Sequence, residues 1–187
     1  MEEKLRGVDW YIVDRIINAA KKFDVDPNLA LAVGYQESTL GKYDKDNPMR
    51  VRDIHGAFNE LPLDMRDKVS DDIDLGVAYL KYKMDNSPRQ ESLINRLQAY
   101  EGFGKITKKY RAKQLPGVKK LFGQPIESID TRKDPIYGRT VFNLMENFIR
   151  VSPELQDRVS KYSALKRDIK QRVENLSYSP FKNLFLK

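Results

Sequence analysis

The sequence predicts an all-α fold. Apolar residues recur at spacings of three and four along most of the chain, Asp-Pro and Ser-Pro pairs stand where helices would begin, and no persuasive set of alternating strands appears. The first helix is predicted over residues 9 to 23, where Ile12, Val13, Ile16, Ile17, Ala20 and Phe23 share one face. Asp26 and Pro27 form a cap followed by a first-turn proline, so a second helix starts there and runs toward Gly41. Between Gly41 and Val69 the periodicity is lost, and a long loop with a short hairpin or single turns is expected. Helical order returns at "DDIDLGVAYLKYKM". Ser87, Pro88 and Gln90 then read as the start of a helix through Leu93, Leu97 and Tyr100.

Gly102 and Gly104 break that helix, and the basic segment up to Arg111 reads as one more short helix before an irregular stretch over residues 112 to 134. "DPIYGRTVFNLMENFI" places Tyr137, Val141, Leu144, Met145 and Phe148 on one face. Ser152 and Pro153 open a last helix whose narrow, near-heptad stripe runs through Leu155, Val159, Tyr162 and Leu165 to Leu176. The 187 residues suit one domain over 1–149 and a C-terminal helix with a docking tail over 150–187. A chain of this length buries about 70% of its unfolded surface, enough for a real core.

Composition narrows the chemistry. The absence of cysteine excludes disulfide scaffolds and cysteine-based zinc sites, and the single histidine, His55, cannot build a histidine cluster. No metal and no cofactor is expected. The N-terminus, MEEKLRGVDW, has no apolar signal core, and no apolar run reaches the roughly 18 residues that span a bilayer. The expectation is a soluble chain without a membrane span, delivered by other means if it acts outside a cytoplasm.

The net charge of +7 is concentrated at one end. From Arg150 onward there are nine Lys or Arg against four Asp or Glu, which leaves +2 for the first 149 residues. Nucleic acid, anionic wall polymers and acidic proteins all suit such a balance, and so does a solvated helical face. For nucleic acid, charge is the whole case, since no recognition motif accompanies it.

One acid stands out. In "LALAVGYQESTLGKY" an apolar helix runs straight into Glu37. At a helix C-terminus the dipole is negative, and apolar neighbours desolvate the group, so its proton should be held more tightly than in water. Those are the conditions for a general acid able to protonate the leaving oxygen of a glycosidic bond. A solvated surface glutamate is the alternative reading.

Its own stretch is the first of four that occur in order. "VDPNLALAVGYQES", "HGAFNE", "NRLQAYEGFG" and "DPIYGRTVFNL" together resemble the soluble lytic transglycosylase family of peptidoglycan-cleaving enzymes, related in fold to goose-type lysozyme. Glu37 and Ser38 match the family's Glu-Ser; Gly56, Ala57, Phe58 and Asn59 loosely match its Gly-Leu-Met-Gln stretch. Ala99, Tyr100 and Glu101, followed by Gly102 and Gly104, match its Ala-Tyr-Asn with glycines, and Tyr137 matches the tyrosine opening a late helix. Ile73, Gly76, Tyr79 and Leu80 match a further helical pattern. The likeness covers residues 9 to 149 and is nearest to phage-borne members, whose domain travels in the virion and opens the wall.

The resemblance implies that Glu37 is acid and then base, attacking with the sugar's own C6 hydroxyl to close a 1,6-anhydro ring. Ser38 and Tyr100 would orient its carboxyl, Asn59 and Tyr137 would contact glycan, and Phe58 would wall a sugar ring. Two positions depart from the family: Asn59 stands for glutamine, and Glu101 for asparagine. Glu101 would raise the Glu37 pKa, serve as a second base, mark a degenerate site, or sit at the surface. Asp44, Asp46 and Asp53 are other candidate carboxylates, or ordinary turn residues.

The resemblance implies peptidoglycan strands as substrate, a virion location and action at the bacterial wall in the periplasm. The tail, with Tyr178, Phe181, Leu184, Phe185 and Leu186, carries too few apolar residues for a core of its own and suggests docking on virion proteins or self-association. The competing expectation is a phage structural or adaptor protein that keeps the fold with little or no activity.

Overall fold

The computed structural model describes residues 5–87, 92–101, 105–107, 128–130 and 135–161. Helices dominate: α1 Trp10–Lys22, α2 Pro27–Ser38, α3 Ile54–Glu60, α4 Leu63–Arg66, α5 Asp72–Asp85, α6 Leu93–Glu101 and α7 Ile136–Leu144. α7 runs on through a π-helical turn, Met145–Ile149, and residues 153–161 are helical again. The all-α expectation holds apart from a small antiparallel ribbon in which Lys105–Thr107 (β1) pairs with Ser128–Asp130 (β2). β1 lies where the sequence predicts the beginning of a basic helix. The rest of that segment, and most of the stretch up to 134, lie outside the described residues.

Capping chemistry explains the early boundaries. Asp9 accepts from the Tyr11 N–H at the start of α1, and Asp26 accepts from Asn28 with Pro27 in the first turn of α2. α2 is the central helix: Leu29 through Gly34 are all buried, and it packs on α1, α7 and the π-turn. Its continuous apolar run therefore reflects burial on every side rather than one stripe. It ends at Ser38, earlier than the expected Gly41, because Thr39 and Leu40 turn into the left-handed region at φ 54° each and Gly41 follows at 84°. The reversal folds Leu40 back into the core, fully buried. Burial of that side chain, worth about 2 kcal/mol, offsets the backbone cost of the turn.

The expected loop between Gly41 and Val69 contains two short helices instead. Asp53 accepts from the Gly56 N–H and starts α3, and Pro62 precedes α4. The expected helix start at Ser87 also moves. Ser87 donates to the Lys83 carbonyl and finishes α5, whereas Ser92 accepts from Asn95 at the start of α6.

α6 and α7 approach so closely that a Cβ on Gly138 would lie 1.8 Å from the Ile94 carbonyl oxygen. Only glycine permits that contact. α7 has no side-chain cap of its own, and the buried Gln98 of α6 serves instead: its Oε1 accepts from the N–H groups of Tyr137 at 3.0 Å and Gly138 at 3.4 Å. Residues 153–161, the start of the segment expected to be an appendage, seat on the domain. Leu155 is fully buried, and Arg158 pairs with Asp14 at 2.6 Å while lying over the Trp10 ring. The remaining stripe from Tyr162 and the tail from Tyr178 to Leu186 lie outside the described residues.

Candidate active site

Glu37 occupies the last turn of α2, partly buried, at the floor of a cleft of about 210 Å³. The cleft walls come from the segment Arg50–Asp53, from α3, from Tyr79 of α5 and from Tyr100 and Glu101 at the end of α6. Tyr137, in the first turn of α7, reaches across and donates its hydroxyl to Glu37 Oε1 at 2.7 Å. The bond joins residues a hundred positions apart, and it depends on Gln98 and Gly138 fixing where α7 begins.

Burial pushes the Glu37 carboxyl up from 4.5 to about 7. The Tyr137 hydrogen bond opposes this by favouring the carboxylate, the charge of Glu101 adds to the rise, and Arg50 and Arg52 pull it down. The group is thus about half protonated at neutral pH. With Oε1 held by Tyr137, Oε2 is left to carry the proton. Burial also drives Tyr100 and Tyr137 well above the ordinary phenol range, so both remain neutral donors.

The other expected residues distribute unevenly. Tyr100 stacks near Tyr137, with ring centroids 6.4 Å apart, but its hydroxyl donates to the Met49 carbonyl at 2.8 Å rather than to Glu37. It holds the wall of the cleft, not the carboxyl group. Ser38 corrects the expectation more strongly. It is fully buried, its Oγ accepts from the Gly41 N–H at 2.8 Å and donates to the Gly34 carbonyl, and it belongs to the turn that ends α2. A hydroxyl so placed neither orients Glu37 nor touches a ligand.

Phe58 and Asn59 also depart from expectation. α3 turns Asp53, Gly56, Ala57 and Glu60 toward the cleft, the i, i+3, i+4, i+7 face, so residues 58 and 59 point elsewhere. Phe58 lies under Arg66 and borders a separate groove with His55, while Asn59 is exposed and offers its backbone carbonyl to Arg66. Of the aspartates, Asp53 lines the cleft while capping α3, and Asp44 caps its own turn by accepting from Asn47.

Glu101 is a true cleft residue, and it is paired: Arg52 Nη2 lies 2.9 Å from its Oε1. Glu60, which the sequence did not single out, is a third cleft glutamate, held by Lys83 at 2.6 Å and within 3.4 Å of the Tyr79 hydroxyl. Among the described residues Glu37 is therefore the cleft glutamate without a cation in contact, and burial dominates its titration. The cationic lining, Arg50 and Arg52, was likewise missed, since nothing local in "NPMRVRD" tells which side chains will face Glu37. Glu60 was within reach: once Asp53 is read as a cap, Glu60 falls on the same helical face as Gly56.

Among the described residues no group of three or more His, Cys, Asp or Glu could hold a metal ion, and no helix is long and apolar enough to cross a membrane. Comparison of the chain with protein-family models, with curated proteins and with solved structures finds no match in any of the three.

Proposed function

We propose that the chain is a peptidoglycan-cleaving lytic transglycosylase with a lysozyme-like domain, acting on the β-1,4 bond between N-acetylmuramic acid and N-acetylglucosamine and carried to the cell wall in a phage particle. The observation that carries this reading is Glu37: a carboxyl pushed to about 7, hydrogen-bonded by Tyr137, on the floor of an open cleft whose other glutamates are ion-paired. A carboxyl near neutrality is matched to general acid work at neutral pH.

In the proposed reaction Oε2 of protonated Glu37 gives its proton to the glycosidic oxygen as the bond from that oxygen to C1 breaks. The Tyr137 hydroxyl stabilises the carboxylate that results. Glu37 then takes the proton of the C6 hydroxyl while its oxygen bonds to C1, closing the anhydro ring and regenerating the acid. Hydrolysis would call for a second carboxylate as nucleophile or base. The other two cleft glutamates are already engaged by cations, Glu101 by Arg52 at 2.9 Å and Glu60 by Lys83 at 2.6 Å.

The test is product analysis on purified cell walls, comparing the protein with Glu37→Gln. Anhydro-ended fragments from the native protein and none from the variant are expected; equal release by both would remove Glu37 from the mechanism. One observation favours the adaptor reading: Asn59, the counterpart of a family glycan-contacting amide, points away from the cleft. Absence of any glycan cleavage by the native protein would decide for it.

A further inference from the structure

Helix α3 borders two hollows. One face lines the cleft, and another lines a separate groove of about 330 Å³. Ile54 and Phe58 of α3, with Val69 and Leu75 around the start of α5, supply the apolar side chains of that groove, and Asp71 and Asp72 line it too. Ile54 is 37% and Phe58 36% exposed, so both leave apolar surface uncovered side by side. The helix that carries them is lightly anchored. Of its seven residues only Ala57 is buried, and a helix of two turns gains little from its own hydrogen bonds.

The chain carries a segment whose chemistry matches the groove. In the tail, outside the described residues, Phe181, Leu184 and Phe185 follow Ser179 and Pro180 at spacings of three and four. That pattern gathers apolar side chains on one helical face, the form in which a short segment enters an apolar groove. Charge agrees: the tail adds Lys182 and Lys187, and Asp72 has no ion pair among the described residues. Reach agrees as well. Consecutive residues of α1 hold the two ends of the path, since Asp14 pairs with Arg158 and Arg15 with Asp71 of the groove. Between Lys161 and Tyr178 lie residues 162–177, which span about 24 Å even as a continuous helix, roughly twice the width of the α1 they must pass.

We propose that residues 178–187 seat in the groove of their own chain, with Phe181 and Phe185 against Ile54 and Phe58 and a lysine beside Asp72. Seated there, the tail clamps α3 on the face opposite to its function. α3 turns Gly56, Ala57 and Glu60 to the cleft, so the clamp fixes the cleft wall whatever reaction the cleft carries out.

The experiment uses the full chain, whose lack of cysteine lets Asn183→Cys take a single nitroxide label. Methyl signals of Ile54, Val69 and Leu75 should broaden relative to the same protein with the nitroxide reduced, and the broadening should persist on dilution. Phe181→Asp with Phe185→Asp should abolish it, and amide exchange in α3 should then quicken by about tenfold or more, the effect expected for losing a buried phenylalanine. Groove methyls that never broaden overturn the proposal, as does broadening that survives the double substitution. Broadening seen when an isotope-labelled chain without nitroxide is mixed with a nitroxide-labelled one assigns the groove to a second copy and overturns seating within one chain. Unchanged α3 exchange in the double variant overturns the clamp.

Discussion

Replacing Glu37 by glutamine should make the protein more stable at alkaline pH, by an amount that disappears in acid. The amide keeps the shape of the side chain and an oxygen for the Tyr137 hydroxyl, but it does not titrate. The native carboxyl moves from 4.5 to about 7 on folding because of burial, so the folded state binds the proton more tightly than the unfolded chain. A carboxyl with a raised folded pKa contributes its full stability below about 4.5, loses it as pH climbs through the window up to about 7, and contributes nothing above. At 1.36 kcal/mol per unit the total is about 3 kcal/mol. Glutamine avoids that loss. The gap between variant and native protein should be near zero at the acid edge of the window and reach about 3 kcal/mol on the alkaline side. For a chain of this size each kcal/mol moves Tm by about 2–4 °C, so melts followed by circular dichroism should differ by roughly 6–12 °C at alkaline pH. A gap that stays constant across the window would refute the claim that Glu37 is held protonated by its surroundings.

Other outcomes follow from the same geometry. Tyr137→Phe removes the bond that favours the carboxylate, so the alkaline limb of the pH–rate profile on cell walls should move to higher pH, with a loss of rate at neutrality. Glu101→Gln should move that limb the other way, because it removes a negative charge near Glu37 and releases Arg52. Ser38→Ala should cost about 1–2 kcal/mol in chemical denaturation by leaving the Gly41 N–H without its acceptor, and should leave KM for wall fragments unchanged. Gly138→Ala forces α6 and α7 apart, since its Cβ would lie 1.8 Å from the Ile94 carbonyl oxygen, and should destabilise by more than about 3 kcal/mol in the same assay.

Helices α1, α2 and α5 were legible because their signals are local. Asp9 and Asp26 cap the residues next to them, and the apolar faces of α1 and α5 need only a window of a dozen residues to be seen. α3 and α4 were missed because each is about one or two turns long, too short for periodicity to register, although the Asp53 cap was present in the sequence. β1 escaped for another reason: its partner strand lies more than twenty residues away, so its pairing is not a local property.

By itself the sequence determined that helices would dominate, where the central one begins, and that an acid would stand at the end of its most apolar run. These follow from neighbours along the chain. Tertiary structure alone decided what that acid meets. It turned Glu60 and Gly56 of α3 toward Glu37 and Phe58 and Asn59 away, spent the Ser38 hydroxyl on a turn, and paired Glu101 with Arg52. It also brought Tyr137 across a hundred residues on a helix capped by Gln98. The physical reason is that desolvation and charge pairing depend on distance in space, and a helix face is aimed by the elements packed against it.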